Sequence, residues 1–270
     1  MLKQETMKQI ILVAAVIILT ACSTVPLTNR KQITAIPTSQ MLSLSNDSYE
    51  QVLKEEKISN NTNETQAVRR VGKRIASAVE VYLASINRKN LIDGYEWEFN
   101  LLENETMNAW CMPGGKIVFY EGILPVCEND NGIAVVMAHE VAHAIAKHGN
   151  ERMTQELAVQ MGGVALSEAL KESKEATTQI AMTAFGVGSQ LGVLLPYSRK
   201  HESEADELGL YFMAMASYDP REAPIFWKRM SAISQNSSPE FLSTHPNPQS
   251  RINSLNKNMS KAMEYYQRNN

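Results

Sequence analysis

Apolar residues recur at helical spacing over most of the chain and alternate over only two short stretches. Val68, Val71, Ile75, Val79 and Leu83 repeat at three- and four-residue steps, with Arg69, Arg70, Lys73 and Arg74 between them. This predicts an amphipathic helix with a solvated basic face. A polar break at residues 60–64 precedes it, and a short helix is expected between Ser45 and Lys57. Tyr95–Leu102 and Ile117–Tyr120 read as strands, with Pro113-Gly114-Gly115 as the turn before the second. From Ile133 the chain is apolar nearly all round, as in a buried helix, and Gly149 stands where a C-terminal glycine belongs. Residues 151–193 should form two helices. Gly186, Gly188 and Gly192 near their end fit either a mobile lid or a hairpin packed on the core. Ala205, Leu208, Leu210, Phe212 and Met213 predict an inward-packing helix, and Ala223, Phe226, Trp227, Met230 and Ile233 another. A last helix is expected over 248–266. The fold class is α+β, mostly helical, with a small sheet.

The buried helix carries His139-Glu140-Val141-Ala142-His143. Residues four apart lie about 40° apart around a helix, so both imidazoles leave one face, one turn apart, and can grip one metal ion. Glu140 lies beside them, where its carboxylate can act as a base without being a ligand. Buried polar groups without partners are costly, and a metal supplies partners for these.

A third protein ligand is needed, and the local sequence does not supply it. Ala146 and Gly149 stand where a metzincin requires Gly and His, and no acid follows residue 156 until Glu168. His148 is about 140° around the helix from His143 and points elsewhere. Further on, Glu202 and Asp206 are again four apart on a probable core-packing helix. They read either as metal-site acids or as part of an acidic exposed turn, the expected place of Glu204 and Glu207. The stretch Asn108-Ala109-Trp110-Cys111, upstream of the metal helix, fits either an open strand edge that takes a substrate chain or a plain hairpin packing the core.

Composition adds location. Hydrophobic residues make up 44% of the 270, enough for one sizeable core, and the net charge of −3 with no basic cluster argues against a nucleic-acid partner. Lys3 and Lys8 precede an apolar run over residues 10–21, the length of an export-signal core. Leu19-Thr20-Ala21-Cys22 resembles a bacterial lipoprotein box, which implies a signal peptide over 1–21, lipid on Cys22, and an outer-membrane lipoprotein facing the periplasm. Residues 22–42, rich in Thr, Pro and Ser, are expected to be a tether, with 43–270 as one domain. In an oxidising compartment Cys111 and Cys127 would be either a disulfide or two buried thiols.

Taken together, His139-Glu140-Val141-Ala142-His143 and Ser198-Arg199-Lys200-His201-Glu202-Ser203-Glu204-Ala205-Asp206 resemble the zinc metallopeptidase family that includes the CAAX prenyl proteases, HtpX and the periplasmic lipoprotein proteases BepA and LoiP. Asn108-Ala109 with Pro113-Gly114-Gly115, and Thr244-His245-Pro246 with Arg251, extend the resemblance over most of the chain. The chain lacks the many membrane spans of the prenyl-protease and HtpX branches, which points to the lipoprotein branch. The resemblance implies a zincin-like domain with one zinc ion per chain held by His139, His143 and Glu202. It makes Glu140 the base and Asp206 a partner behind a ligand histidine. His245 takes a gating or oxyanion role with Arg251 nearby, and residues 108–111 form the substrate strand. The implied substrates are unfolded or misassembled envelope proteins.

Overall fold

The computed structural model describes residues 21–234, 239–246 and 248–269. The export segment expected over 1–21 lies outside these residues, apart from Ala21. The chain divides into two compact units: one holds the described residues up to Gln40 together with Lys147–Lys200, the other Met41–Ala146 and His201–Asn270. The stretch 43–270 contributes residues to both units.

In the first unit, β1 (Cys22–Thr24) and β2 (Lys31–Ile33) form an antiparallel hairpin with Cys22 opposite Ile33. The expected tether is thus structured. Its turn uses left-handed Leu27 and Asn29, Val25 and Gln32 are buried, and Arg30 forms a two-pronged ion pair with Glu151. Two helices follow, α5 (His148–Ala169) and α6 (Glu175–Ser189), the latter continuing through a π turn at Gln190–Leu194. The glycine cluster at 186–192 therefore lies within helical structure.

The second unit is built on a three-stranded sheet, β3 (Glu98–Leu102), β4 (Ala109–Met112) and β5 (Lys116–Tyr120). β5 is central, parallel to β3 and antiparallel to β4. Left-handed Gly114 and Gly115 make the turn joining β4 to β5. Strand side chains alternate between faces, so the register sorts the core. Val118, Trp110 and Leu102 share the face covered by α1 (Thr38–Glu55), through Tyr49. Phe99, Ile117 and Cys111 share the other face, on the side of α2 (Thr62–Ser85) and α4 (Asp130–Ile145). Gly72 of α2 is required there, because a Cβ would lie 2.2 Å from the Phe99 ring.

The stripe of α2 is buried as its spacing predicts, with Val68, Val71, Ile75, Val79 and Leu83 all at 0% exposure. Its basic residues are not simply solvated. Arg70 pairs with Asp130 in the first turn of α4, Arg74 donates to the Ala216 carbonyl and Arg69 to that of Phe99. After the short α3 (Leu124–Cys127) and α4 come α7 (Leu195–Met215), α8 (Glu222–Ser234), α9 (Glu240–Thr244) and α10 (Pro248–Asn269), with α8 packed between α4 and α10.

Candidate metal centre

Four elements of the second unit converge on the site. The α4 helix starts at Asn129, whose side chain accepts from the N–H groups of Asn131 and Gly132. At its other end the Tyr95 hydroxyl donates to the Ala144 carbonyl, and left-handed Lys147 separates α4 from α5. Lys147, rather than Gly149, takes the left-handed position, and His148 opens the next helix. The α7 helix lies against α4 at Gly209, where a Cβ would sit 2.9 Å from the His139 backbone nitrogen. That approach brings Glu202 and Asp206 to the histidines. His245 follows α9, and Arg251 lies in the first turn of α10.

The donor atoms point at one another. His139 Nε2 lies 3.1 Å from His143 Nε2 and 3.2 Å from His245 Nδ1. Glu202 places Oε1 3.3 Å from His143 Nε2, and Oε2 3.4 Å from His139 Nε2 and 2.7 Å from His245 Nδ1. One ligand atom from each of the four residues lies within 4.8 Å of the others. Tetrahedral zinc with bonds of ~2.0–2.1 Å separates its ligands by roughly 3.3 Å, so this donor set fits such an ion. His143 keeps 18% of its side chain exposed against 4% for His139, which makes it the solvent-facing side of the cluster.

Burial pushes the Glu140 carboxyl up to about 7, with His139, Arg251 and the Cys111 backbone N–H pulling it down and Glu202 pushing it further up. Its Oε1 is buried without a hydrogen bond and lies 3.4 Å from His245 Nε2. Glu202 is opposite in character: burial alone would raise it, but His143, His139 and His245 outweigh burial and hold it well below the usual carboxylate range. Burial takes the His245 imidazole down to about 3, against the pull of Glu202, so the ring is neutral and its nitrogen is available as a donor.

Behind His139 lies a buried ion pair. Arg251 binds Asp206 through Nε at 2.8 Å and through a second, shorter contact from Nη2. Asp206 Oδ1 lies 3.2 Å from His139 Nδ1. Burial would raise Asp206, and Arg251 overrides it, lowering the carboxyl. The guanidinium lies 3.6 Å from the centre of the Trp227 ring, a contact that helical spacing alone marked only as core. Glu204, expected in an exposed turn, is buried at 6%.

The strand residues meet the site from the side. β4 pairs only with β5 among the described residues, leaving its other edge open, and it packs along α4. Asn108, just before it, donates to Glu240 in α9, and Phe241 donates to the Met107 carbonyl. β4 is thereby fixed to the segment that carries His245.

The disulfide alternative is not realised: Cys111 and Cys127 are both free thiols. Cys111 sits on β4 toward Glu140, whereas Cys127 ends α3, where Arg229 of α8 binds the Val126 and Cys127 carbonyls. Burial raises both thiols above the ordinary range; Cys127 is fully buried, whereas Cys111 is only partly so. Cys127 is not expected to react with a thiol reagent in the native chain, and both should react after denaturation without reductant. A thiol count under the two conditions checks this. Cys22 is exposed at the start of β1.

The sequence profile of peptidase family M48 matches residues 63–259, which spans both halves of the site. The chain belongs to peptidase family M48. Among M48 relatives, the mitochondrial metalloendopeptidase OMA1 of Schizosaccharomyces pombe is 30% identical over 243 residues, covering 86% of this chain and 64% of that protein. OMA1 of Saccharomyces cerevisiae is 35% identical over 186 residues, 66% of this chain and 51% of the relative. The beta-barrel assembly-enhancing protease of Escherichia coli K12 is 28% identical over 161 residues, 58% of this chain and 33% of its own length. The chain thus spans between one third and two thirds of these M48 proteins. M48 enzymes are zinc metallopeptidases, and the His/Glu cluster of this chain could hold a metal ion.

Proposed function

We propose that this chain is a zinc-dependent endopeptidase that hydrolyses peptide bonds in misfolded or stalled cell-envelope proteins. The observation that carries the reading is the convergence of His139, His143, Glu202 and His245 beside Glu140, whose buried Oε1 has no hydrogen-bond partner. His139, His143 and Glu202 would hold one zinc ion. Bound there, zinc supplies Lewis-acid polarisation of a carbonyl and lowers the pKa of water to ~7. Glu140 takes a proton from the attacking water and delivers it to the leaving amine. Asp206 and Arg251 hold the His139 ring in place. A substrate chain laid along the open edge of β4 would lie beside Glu140, because Cys111 on that strand faces this carboxylate.

His245 acts as a gate in this reading. Its ring lies between Glu202 and Glu140, at distances of 2.7 and 3.4 Å, where a scissile carbonyl must approach the base. His245→Ala is expected to raise hydrolysis of unfolded protein several-fold; a fall would favour the oxyanion role instead.

Placement at the envelope rests on the lipoprotein-like Leu19-Thr20-Ala21-Cys22 stretch, the exposure of Cys22, and the bacterial relative whose name ties it to barrel assembly. The mature chain would then be an outer-membrane lipoprotein facing the periplasm, which mass spectrometry of its N-terminus tests. The purified protein is expected to hydrolyse casein, to lose that activity to a chelator and to regain it with added zinc. An inert chain that still bound zinc and unfolded protein would support the alternative, a chaperone-like protein with a structural metal.

A further inference from the structure

Within the first unit, the hairpin of α5 and α6 exposes apolar residues over α6 and over the part of α5 beyond the exposed Arg152–Glu156 pair. Among the described residues, seven of the 13 exposed large apolar ones fall between Leu157 and Val193, among them Met161 and Val164 at 72%, Ile180 at 71% and Leu191 at 62% exposure. No described residue between Arg152 and Lys200 is buried. The exposed residues are ordered. Leu157, Met161 and Val164 form one stripe on α5, and Ile180, Ala184, Val187 and Leu191 form another along α6 into the π turn, both at i, i+4, i+7 spacing. These stripes are separate from the contact that holds the helices together, where Phe185 packs against Gly162 and Gly163.

Charge is missing as well. From residue 176 to 198 there is no Asp, Glu, Lys or Arg, a helical run of about 34 Å at ~1.5 Å per residue, against a bilayer hydrocarbon core of ~30 Å. This run lies in a helical stretch, Glu175–Met215, long and apolar enough to cross a membrane, and only 6% of its most apolar window is buried in the protein. A helix without charge on any side belongs in a protein core or in lipid, and no core surrounds this one. Arg199 and Lys200 close one end of the run. Lys171 and Lys174, in the turn with Glu172 and flanked by Glu168 of α5 and Glu175 of α6, close the other. Basic residues at both ends suit lipid headgroups, and the charges in and beside the turn keep that end at the aqueous surface.

We propose that the α5–α6 hairpin is embedded in a lipid bilayer, with its two outer apolar stripes against acyl chains. Arg30–Glu151 and the Asn150 amide donating to the Ile36 carbonyl tie the N-terminal hairpin to the base of α5, so the membrane element and Cys22 belong to one body. The inference stands without a lipid on Cys22 and without the peptidase reading.

The test places an environment-sensitive fluorophore on the full-length chain at Val187→Cys or Leu191→Cys, in a background of Cys22→Ser with Cys111→Ser, which leaves only buried Cys127. Val81→Cys, exposed on α2 of the other unit, is the control. With phosphatidylethanolamine–phosphatidylglycerol vesicles, the probes at 187 and 191 are expected to shift to the blue and to lose most of their emission to a quencher carried on lipid acyl chains, while the probe at 81 does neither. Emission at 187 and 191 that matches position 81 and is quenched only from water would overturn the proposal. A blue shift that appears without vesicles and grows with protein concentration would also overturn it, assigning the stripes to a second copy of the chain.

Discussion

Glu140→Gln is expected to lower hydrolysis of casein by ~10²–10⁴-fold, the contribution of a positioned general base, while the metal content of the protein is unchanged. The substitution keeps the shape of the side chain and removes its ability to take a proton. The carboxylate is not among the four converging donors, so the ion stays bound. Nor should the fold suffer: Glu140 Oε1 makes no hydrogen bond that the amide would break, and burial already pushes its carboxyl up to about 7. Activity and metal content therefore separate. Equal loss of both would mean that Glu140 holds the metal, and unchanged activity would remove it from the chemistry.

The second large effect concerns stability. Arg251 and Asp206 are each 3% exposed in their side chains and bind through two contacts. Removing one partner of a buried pair strands the other, at a cost of ~3–5 kcal/mol. Arg251→Ala also strips the Trp227 ring of its stacked guanidinium. The melting temperature should fall on the order of 10 °C, at a few degrees per kcal/mol. The lost interaction includes the link to His139, so zinc affinity should fall as well, by ~10–100-fold. Arg251→Lys keeps the charge but not the planar fork, and should recover only part of either loss. Thermal melts and metal titration of the two variants check this; a melting point unchanged in Arg251→Ala would remove the ion pair from the account.

Much of this arrangement was legible in the sequence where periodicity and chemistry coincide. The α2 stripe, the buried α4 helix, the strand segments that form β3 and β5, and the convergence of His139, His143, Glu202, Asp206, His245 and Arg251 all followed from spacing or from the resemblance. What escaped was set by tertiary partners. Arg70 and Arg74 read as solvated until Asp130 and the Ala216 carbonyl were placed against them. Glu204 read as exposed because helical spacing cannot distinguish a helix packed on one face from one packed on several. The segment 22–42 has a linker's composition, yet Val25, Gln32 and the Arg30–Glu151 pair fix it. Gly149 seemed the natural helix end, but left-handed Lys147 took that place two residues earlier. The two cysteines had the right parity for a bridge, and different elements hold them. Gly209 carried no signal at all, since its role is the close approach of a backbone distant in sequence.

The central claim is that His139, His143 and Glu202, with His245 alongside, form one zinc site, and X-ray absorption spectroscopy of the zinc-loaded protein tests it most directly. The account predicts one zinc per chain with a nitrogen and oxygen shell at ~2.0–2.1 Å, imidazole scattering and no sulfur. A sulfur shell near ~2.3 Å, or protein that takes up no zinc, would contradict it.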